Sequence, residues 1–379
     1  MANSLLGLLS RKAKNYLMST QKKRILFVIS SLNLGGAERQ MLLLCQMLKT
    51  QADVRIVSLE FEGPLKEKYM QAFPEIFFVQ KTNPLIQIIE IKRIVRISKP
   101  DVVITWLYKA DLIGGIVSKL AGNVPVIWSA RNSALPHFSI FKRLTLLLFS
   151  RLIPKWIVAN GKPAYNFHKS IGYPTKKMQI IPNALAPWTS STRSKSRLLQ
   201  MDTTVDKIRI GIASRQAPGK GILESISAFD DHLDRLPLID LRLIGQETDE
   251  SKKWLSKGEY KGHPVHALTT DTELARWFQD LDLYLMSSTA WESQPNSLLE
   301  AIAIGCPVLV SDFIDLDFDL PDFNVYNATS ATNLVSAIQK YGDIEKSRII
   351  DTVEELRSKV GSIYNHDSIL DKWLKIIEI

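Results

Sequence analysis

Cysteine is nearly absent from this 379-residue chain: only Cys45 and Cys306 occur, one in each half and each in an apolar setting. Two such thiols do not make a disulfide framework, so reduced, cytosolic-type cysteines are expected. Long apolar runs are missing as well. None approaches the ~18 uncharged residues that a membrane-spanning helix needs. Residues 1–10 lack the positive region that precedes the apolar stretch of a secretory signal, so no export is implied. Acidic charge is in the minority, with 39 Asp and Glu against 48 Lys and Arg and a net charge of +9. That balance calls for an anionic partner. Zinc-knuckle, RNP-like and helix-turn-helix signatures are lacking, which removes nucleic acid and leaves a phosphorylated substrate or an acidic membrane surface.

What is present is an ordinary globular composition, 45% hydrophobic and 23% charged, in a chain too long for one core. From Arg24 short apolar runs alternate with helical ones: 25–29, 54–57, 76–79, 102–105, 124–128, 156–159 and 179–181, with helices from about Ala37 and near Pro64. Residues 187–206 turn small, polar and basic, as a linker does. A second alternation follows at 208–212, 240–244, 283–286 and 308–310. Strands apolar throughout and separated by helices form parallel sheets covered on both faces, an α/β class. The expected organisation is a basic amphipathic segment 1–23, a Rossmann-like domain 24–186, the linker 187–206, a second Rossmann-like domain 207–360, and a closing helix within 361–379 that packs back on the first domain. Ligand then belongs in the cleft between the strand C-termini.

The most informative stretch is Glu292-Ser293-Gln294-Pro295-Asn296-Ser297-Leu298-Leu299-Glu300. Pro295 suits a first helical position, and Gly305 followed by Pro307 suits a helix stop. A helix start therefore separates two carboxylates, and its free N–H groups form a phosphate cradle. The order acid, anion cradle, acid fits a nucleoside diphosphate sugar.

With its flanking strands, this stretch resembles the E-x7-E motif of retaining GT-B glycosyltransferases of the family 4 type, common in bacterial polysaccharide and lipopolysaccharide synthesis. The resemblance implies two Rossmann-like domains facing a central cleft. It also implies that Glu292 lies beside the donor sugar and that Glu300 hydrogen-bonds the ribose, with residues 293–296 completing the donor site. Gly35 and Gly36, after the first strand and at a helix start, remove side chains where backbone must approach a ligand. They look like the glycine loop that faces the donor diphosphate in this family, and since no G-x-G-x-x-G follows, a nicotinamide reading loses its support. Arg215 and Lys220 resemble the family's diphosphate-binding Arg and Lys pair and inherit a catalytic role with Glu292. Ile181-Pro182-Asn183-Ala184 resembles the family's I-P-N-G junction but has Ala for Gly, and no ligand role is assigned to it.

Lys109, Asp111, Arg131 and Asn132 follow N-domain strands and are expected on the acceptor and sugar side. Arg131 stands near where relatives often carry His, implying an altered sugar contact or a cation for a phosphate-bearing acceptor. His137 reads as a structural or solvated loop residue. The D-x-D pairs Asp280/Asp282 and Asp315/Asp317, the latter continuing to Asp319, sit in loop and turn contexts. No metal or other cofactor is therefore expected. Two basic apolar stretches, 5–17 and 138–151, suit an anionic membrane interface.

Together these features point to a retaining transferase moving a hexose or N-acetylhexosamine from a nucleotide sugar to a glycan acceptor, lipid-linked, at the cytoplasmic face of the inner membrane. Two other readings stay open at this point: a GT-B nucleotide-sugar epimerase, and a non-catalytic, membrane-associated nucleotide-sugar-binding protein.

Overall fold

The computed structural model describes residues 22–33, 35–79, 83–132, 139–190, 207–213, 219–232, 235–236, 238–244, 259–260, 263–264, 271–290 and 292–378. The amphipathic stretch 5–17, His137, Arg215 and most of the linker lie outside them.

The N-terminal unit runs β1 (Lys23–Ile29), α1 (Gly36–Leu48), β2 (Ala52–Ser58), α2 (Lys66–Ala72), β3 (Phe77–Phe78), α3 (Pro84–Ser98), β4 (Val102–Trp106), α4 (Tyr108–Gly122), β5 (Val126–Ala130), α5 (Ile140–Leu152), β6 (Trp156–Ala159), α6 (Lys162–Ser170) and β7 (Met178–Ile180). Its seven strands form one sheet in the order β3-β2-β1-β4-β5-β6-β7, and every pairing is parallel. Strands β4 and β5 are buried along their whole length, as a sheet covered on both faces requires.

The second unit runs β8 (Lys207–Ala213), α7 (Ile222–Asp231), β9 (Leu238–Ile244), β10 (Glu259–Tyr260), β11 (His263–Pro264), α8 (Asp271–Asp280), β12 (Leu283–Met286), β13 (Glu292–Ser293), α9 (Asn296–Ile304), β14 (Val308–Ser311), β15 (Ile314–Asp315), β16 (Val325–Tyr326), α10 (Ala331–Gly342), α11 (Lys346–Ile363) and α12 (His366–Ile377). Its main sheet, β16-β14-β12-β8-β9, is again parallel.

Helix α12 returns to the first unit. Ile369, Trp373, Ile376 and Ile377 join Phe27, Ile104 and Trp106 in one core, with the Trp106 and Trp373 rings stacked at 6.2 Å. The two segments that cross between the units run side by side: the Leu185 N–H donates to the Tyr364 carbonyl at 3.1 Å, and His366 Nε2 bonds the Leu185 carbonyl.

Among the boundaries that differ from expectation, two do so for local reasons. β5 starts at Val126, two residues later than its apolar run, because Asn123 closes α4 in the left-handed conformation and the Val124 N–H is spent on the Ser118 carbonyl. α9 starts at Asn296 with Pro295 as its cap residue, since Pro295 keeps an extended ψ of 110°.

His168 on α6 is wholly buried, with Nε2 at 3.1 Å from the Tyr108 hydroxyl and Nδ1 at 2.7 Å from the Ala164 carbonyl. Burial lowers its pKa to about 4. A histidine held neutral in the fold contributes stability that is complete above its unfolded pKa near 6.5 and is lost as pH falls toward 4. Between pH 7 and pH 5 this one group should cost about 2 kcal/mol. Urea unfolding of wild type and His168→Gln at both pH values checks this; equal losses in the two proteins would clear His168 of the effect.

Candidate functional site

In each sheet the strand order reverses once, between β1 and β4 in the first and between β8 and β12 in the second. Chain leaving such a reversal opens a crevice at the strand C-termini. Here the loops after β1, β8 and β12 carry most of the residues singled out from sequence.

The loops after β8 and β12 are tied together. Thr289 N–H donates to the Gly219 carbonyl at 2.9 Å, and Ser287 Oγ donates to the Lys220 carbonyl at 3.1 Å. The approach is so close at Gly221, which has a φ of +69°, that a Cβ would fall 1.7 Å from the Ser287 carbonyl oxygen. Only glycine meets both demands. The result is that Lys220 Nζ stands 2.8 Å from Glu292 Oε1, with Ser288 Oγ donating to the same carboxylate oxygen. Strand β13 holds Glu292 in register with Ile314 of β15.

Beyond Glu292 the backbone turns sharply: Gln294 takes a φ of +50°, and α9 begins without a side-chain cap on its N-terminus. Gln294 is fixed at both ends of its amide, accepting from the Asn183 N–H at 3.0 Å and donating to Asp317 at 2.8 Å. Asn296 accepts from Asn183 Nδ2 at 2.8 Å and donates to the Gly36 carbonyl at 3.0 Å. A Cβ on Gly36 would lie 2.9 Å from the Asn296 amide nitrogen, so the neighbour that Gly36 makes room for is a side chain of the opposite domain. Gly35 caps α1 and makes room for Glu38. Glu300, one turn after Asn296, is 4% exposed and pairs with Arg39 of α1 at 3.1 Å.

Asn183 and Arg39 are two site residues that the sequence did not single out. Asn183 joins three elements at once, since its Oδ1 also accepts from Arg131 at 2.7 Å. The I-P-N-A segment was its signal. Arg39 lies three residues past Gly36, inside α1, and gave no signal of its own.

The acceptor-side set divides. Lys109 is exposed at the first turn of α4, and Asn132 is bonded to Tyr108. Asp111 is buried within the domain and accepts from Thr105 Oγ1 at 2.6 Å and from the Ser129 backbone; burial pushes its carboxyl well above the usual range. It therefore serves the α4–β4 contact and presents no surface to a ligand. Arg131 stacks over Trp106 at 4.1 Å and is bonded to Ser129 and Asn183. Burial lowers its pKa to about 9, which leaves it charged at neutral pH while it braces the domain junction.

Two members of the acidic runs are engaged by neighbouring side chains. Asp282 accepts from the backbone N–H, Nε and a terminal amine of Arg209, and Asp317 accepts from Gln294 and Tyr364. Among the described residues, no cluster of three His, Cys, Asp or Glu is arranged to hold a metal.

Comparison with known proteins bears on the fold and the family. Residues 34–187 match the model of Glycosyltransferase Family 4, and residues 207–337 match that of Glycosyl transferases group 1. No curated protein sequence is significantly similar. Among solved structures, Anabaena HepE in complex with UDP-glucose superposes with a TM-score of 0.76 at 18% identity, covering 94% of this chain and 99% of that one. Sucrose-phosphate synthase of Thermosynechococcus elongatus gives 0.71 at 14% identity, with 94% and 98% covered. TarM gives 0.72 at 12% identity, with 95% and 99% covered. Likeness at these identities speaks for the fold, and the two sequence models speak for the family: the chain is a family 4-type glycosyltransferase built on the two-domain GT-B fold.

Proposed function

We propose that this enzyme transfers a hexose or N-acetylhexosamine from a nucleoside diphosphate sugar to a glycan acceptor carried on a lipid, with retention of the α configuration. The observation that carries the reading is the convergence of Lys220, Glu292 and the uncapped N-terminus of α9 at the reversal point of the second sheet, opposite the Gly35–Gly36 loop. Support also comes from the relatives: HepE is solved with UDP-glucose, and TarM with UDP and α-GlcNAc-glycerol.

Each group has a task in this reading. Lys220 and the first N–H groups of α9 neutralise the leaving diphosphate, with Arg215 as their partner from the same loop. Glu300 accepts from the ribose hydroxyls. Glu292 receives the sugar hydroxyls, and its present pairing with Lys220 sets the order of events. The donor's phosphate competes for the ammonium and releases the carboxylate toward the sugar. Charge on the leaving group is met by protein cations, so the proposed transfer needs no metal.

The proposed acceptor side includes an anionic membrane. Helix α5 exposes Ile140, Phe141, Leu144, Leu148 and Leu152, with Ile140 and Phe141 at 77% and 75%. Lys142, Arg143 and Arg151 accompany them, and the helix holds no acid. No helix among the described residues is long and apolar enough to cross a membrane, so α5 would lie in the interface.

Three outcomes test these readings. Lys220→Ala should weaken UDP or UDP-sugar binding roughly ten- to a hundredfold, the worth of a hydrogen bond to a charged group; wild-type affinity by calorimetry would remove Lys220 from the site. Transfer from a panel of α-linked nucleotide sugars should persist in EDTA and give α-linked product by NMR, and a strict Mg or Mn requirement or a β-linkage would count against the mechanism. Phosphatidylglycerol liposomes should sediment the enzyme at low salt and release it at high salt. The Lys142→Gln, Arg143→Gln double variant should bind about thirtyfold less, from ~1 kcal/mol per basic residue. Wild type remaining in the low-salt supernatant would end the membrane reading.

A further inference from the structure

Arg39 is out of place by the rules of an isolated helix. It lies in the opening turns of α1, where the helix dipole disfavours a cation, and the acid suited to that position, Glu38, sits beside it. Its guanidinium instead reaches out of its own domain to Glu300. Glu300 is equally out of place in its own helix, since the residues of α9 around it, Leu298, Leu299, Ala301 and Ile302, are all buried and apolar. A carboxylate buried among such neighbours costs several kcal/mol unless a cation meets it. A cation that meets this carboxylate, Arg39, comes from the opposite domain.

A second contact lies one turn away. Asn296 and Glu300 are four residues apart on α9, and Gly36 and Arg39 are three apart on α1, so both pairs share a face of their helices. Asn296 Nδ2 donates to the Gly36 carbonyl at 3.0 Å while Arg39 meets Glu300 at 3.1 Å. The two helix N-termini are thus clasped across the cleft by one neutral and one charged contact.

We propose that Arg39 is a positioning residue of the donor site: it holds the Glu300 carboxylate for the ribose and makes that half of the site complete only when the two domains are together. The role rests on the reading above in which Glu300 receives the ribose. Closure and donor binding then reinforce one another. Drawing the domains apart breaks the Arg39–Glu300 pair, and a donor anchored on Glu300 favours the arrangement in which Arg39 is present.

The test is a double-mutant cycle over Arg39→Ala and Glu300→Gln, with Arg39→Lys as the conservative variant, read in two ways. Small-angle scattering without nucleotide reports domain separation, and calorimetry with UDP together with steady-state kinetics reports the site. Arg39→Ala should expand the unliganded protein and raise the donor KM about tenfold, with kcat at saturating donor and the acceptor KM within threefold of wild type. Arg39→Lys should recover most of the loss. In the Glu300→Gln background, Arg39→Ala should add little, because the charge it serves is gone. Unchanged scattering and unchanged UDP affinity in Arg39→Ala overturn the proposal, as do additive effects in the cycle. If wild type binds no nucleotide, the donor reading fails. Expansion of Arg39→Ala, or its absence, still decides whether the clasp holds the domains together.

Discussion

Everything at the centre of this molecule answers to one constraint: polar groups that close a cleft must find partners, and here Asn183, Gly36 and Glu300 find theirs across the domain boundary. Asn183 satisfies three groups, from β5's end, from the Gln294 turn and from the start of α9. Within the first domain Gln40 of α1 meets the same constraint, exchanging both amide bonds with Ala184 as a neighbouring strand would. Buried amides and carboxylates are costly when unpaired and specific when paired. The left-handed backbone at Gln294 is tolerated because its side chain is held at both ends, by Asn183 and by Asp317.

The sheets were legible in sequence because their signal is local. The runs 156–159 and 283–286 coincide with β6 and β12 residue for residue, since a strand buried on both faces writes itself as an uninterrupted apolar word. The helix between Glu292 and Glu300 was legible for a similar reason: Pro295 and Gly305 act on their own backbone. The family could be read from that segment and its flanks.

What was not legible depends on residues far apart along the chain. Nothing near Arg39 says that its carboxylate is 261 positions away, and nothing near Gly36 says that an asparagine of the other domain will lie over it. The burial of Asp111 was not legible because polarity in sequence looks the same whether a side chain faces a cleft or turns inward to Thr105. Arg131 carried the same ambiguity, and the tryptophan it stacks on comes from β4, with α12 supplying a second ring beyond it. Val124 shows the local version: its apolarity suits a strand, yet the left-handed Asn123 before it commits its N–H to ending a helix.

The paired crossings have a mechanical meaning. One covalent strand between two bodies is a swivel, free to twist in any direction. Two strands laid side by side and bonded through Leu185, Tyr364 and His366 form a leaf hinge, stiff to twisting and to sliding and compliant to bending about one line. Such a pairing favours bending of one body against the other over twisting or sliding. A cleft opened and shut by bending about one line brings the same residues face to face on every cycle.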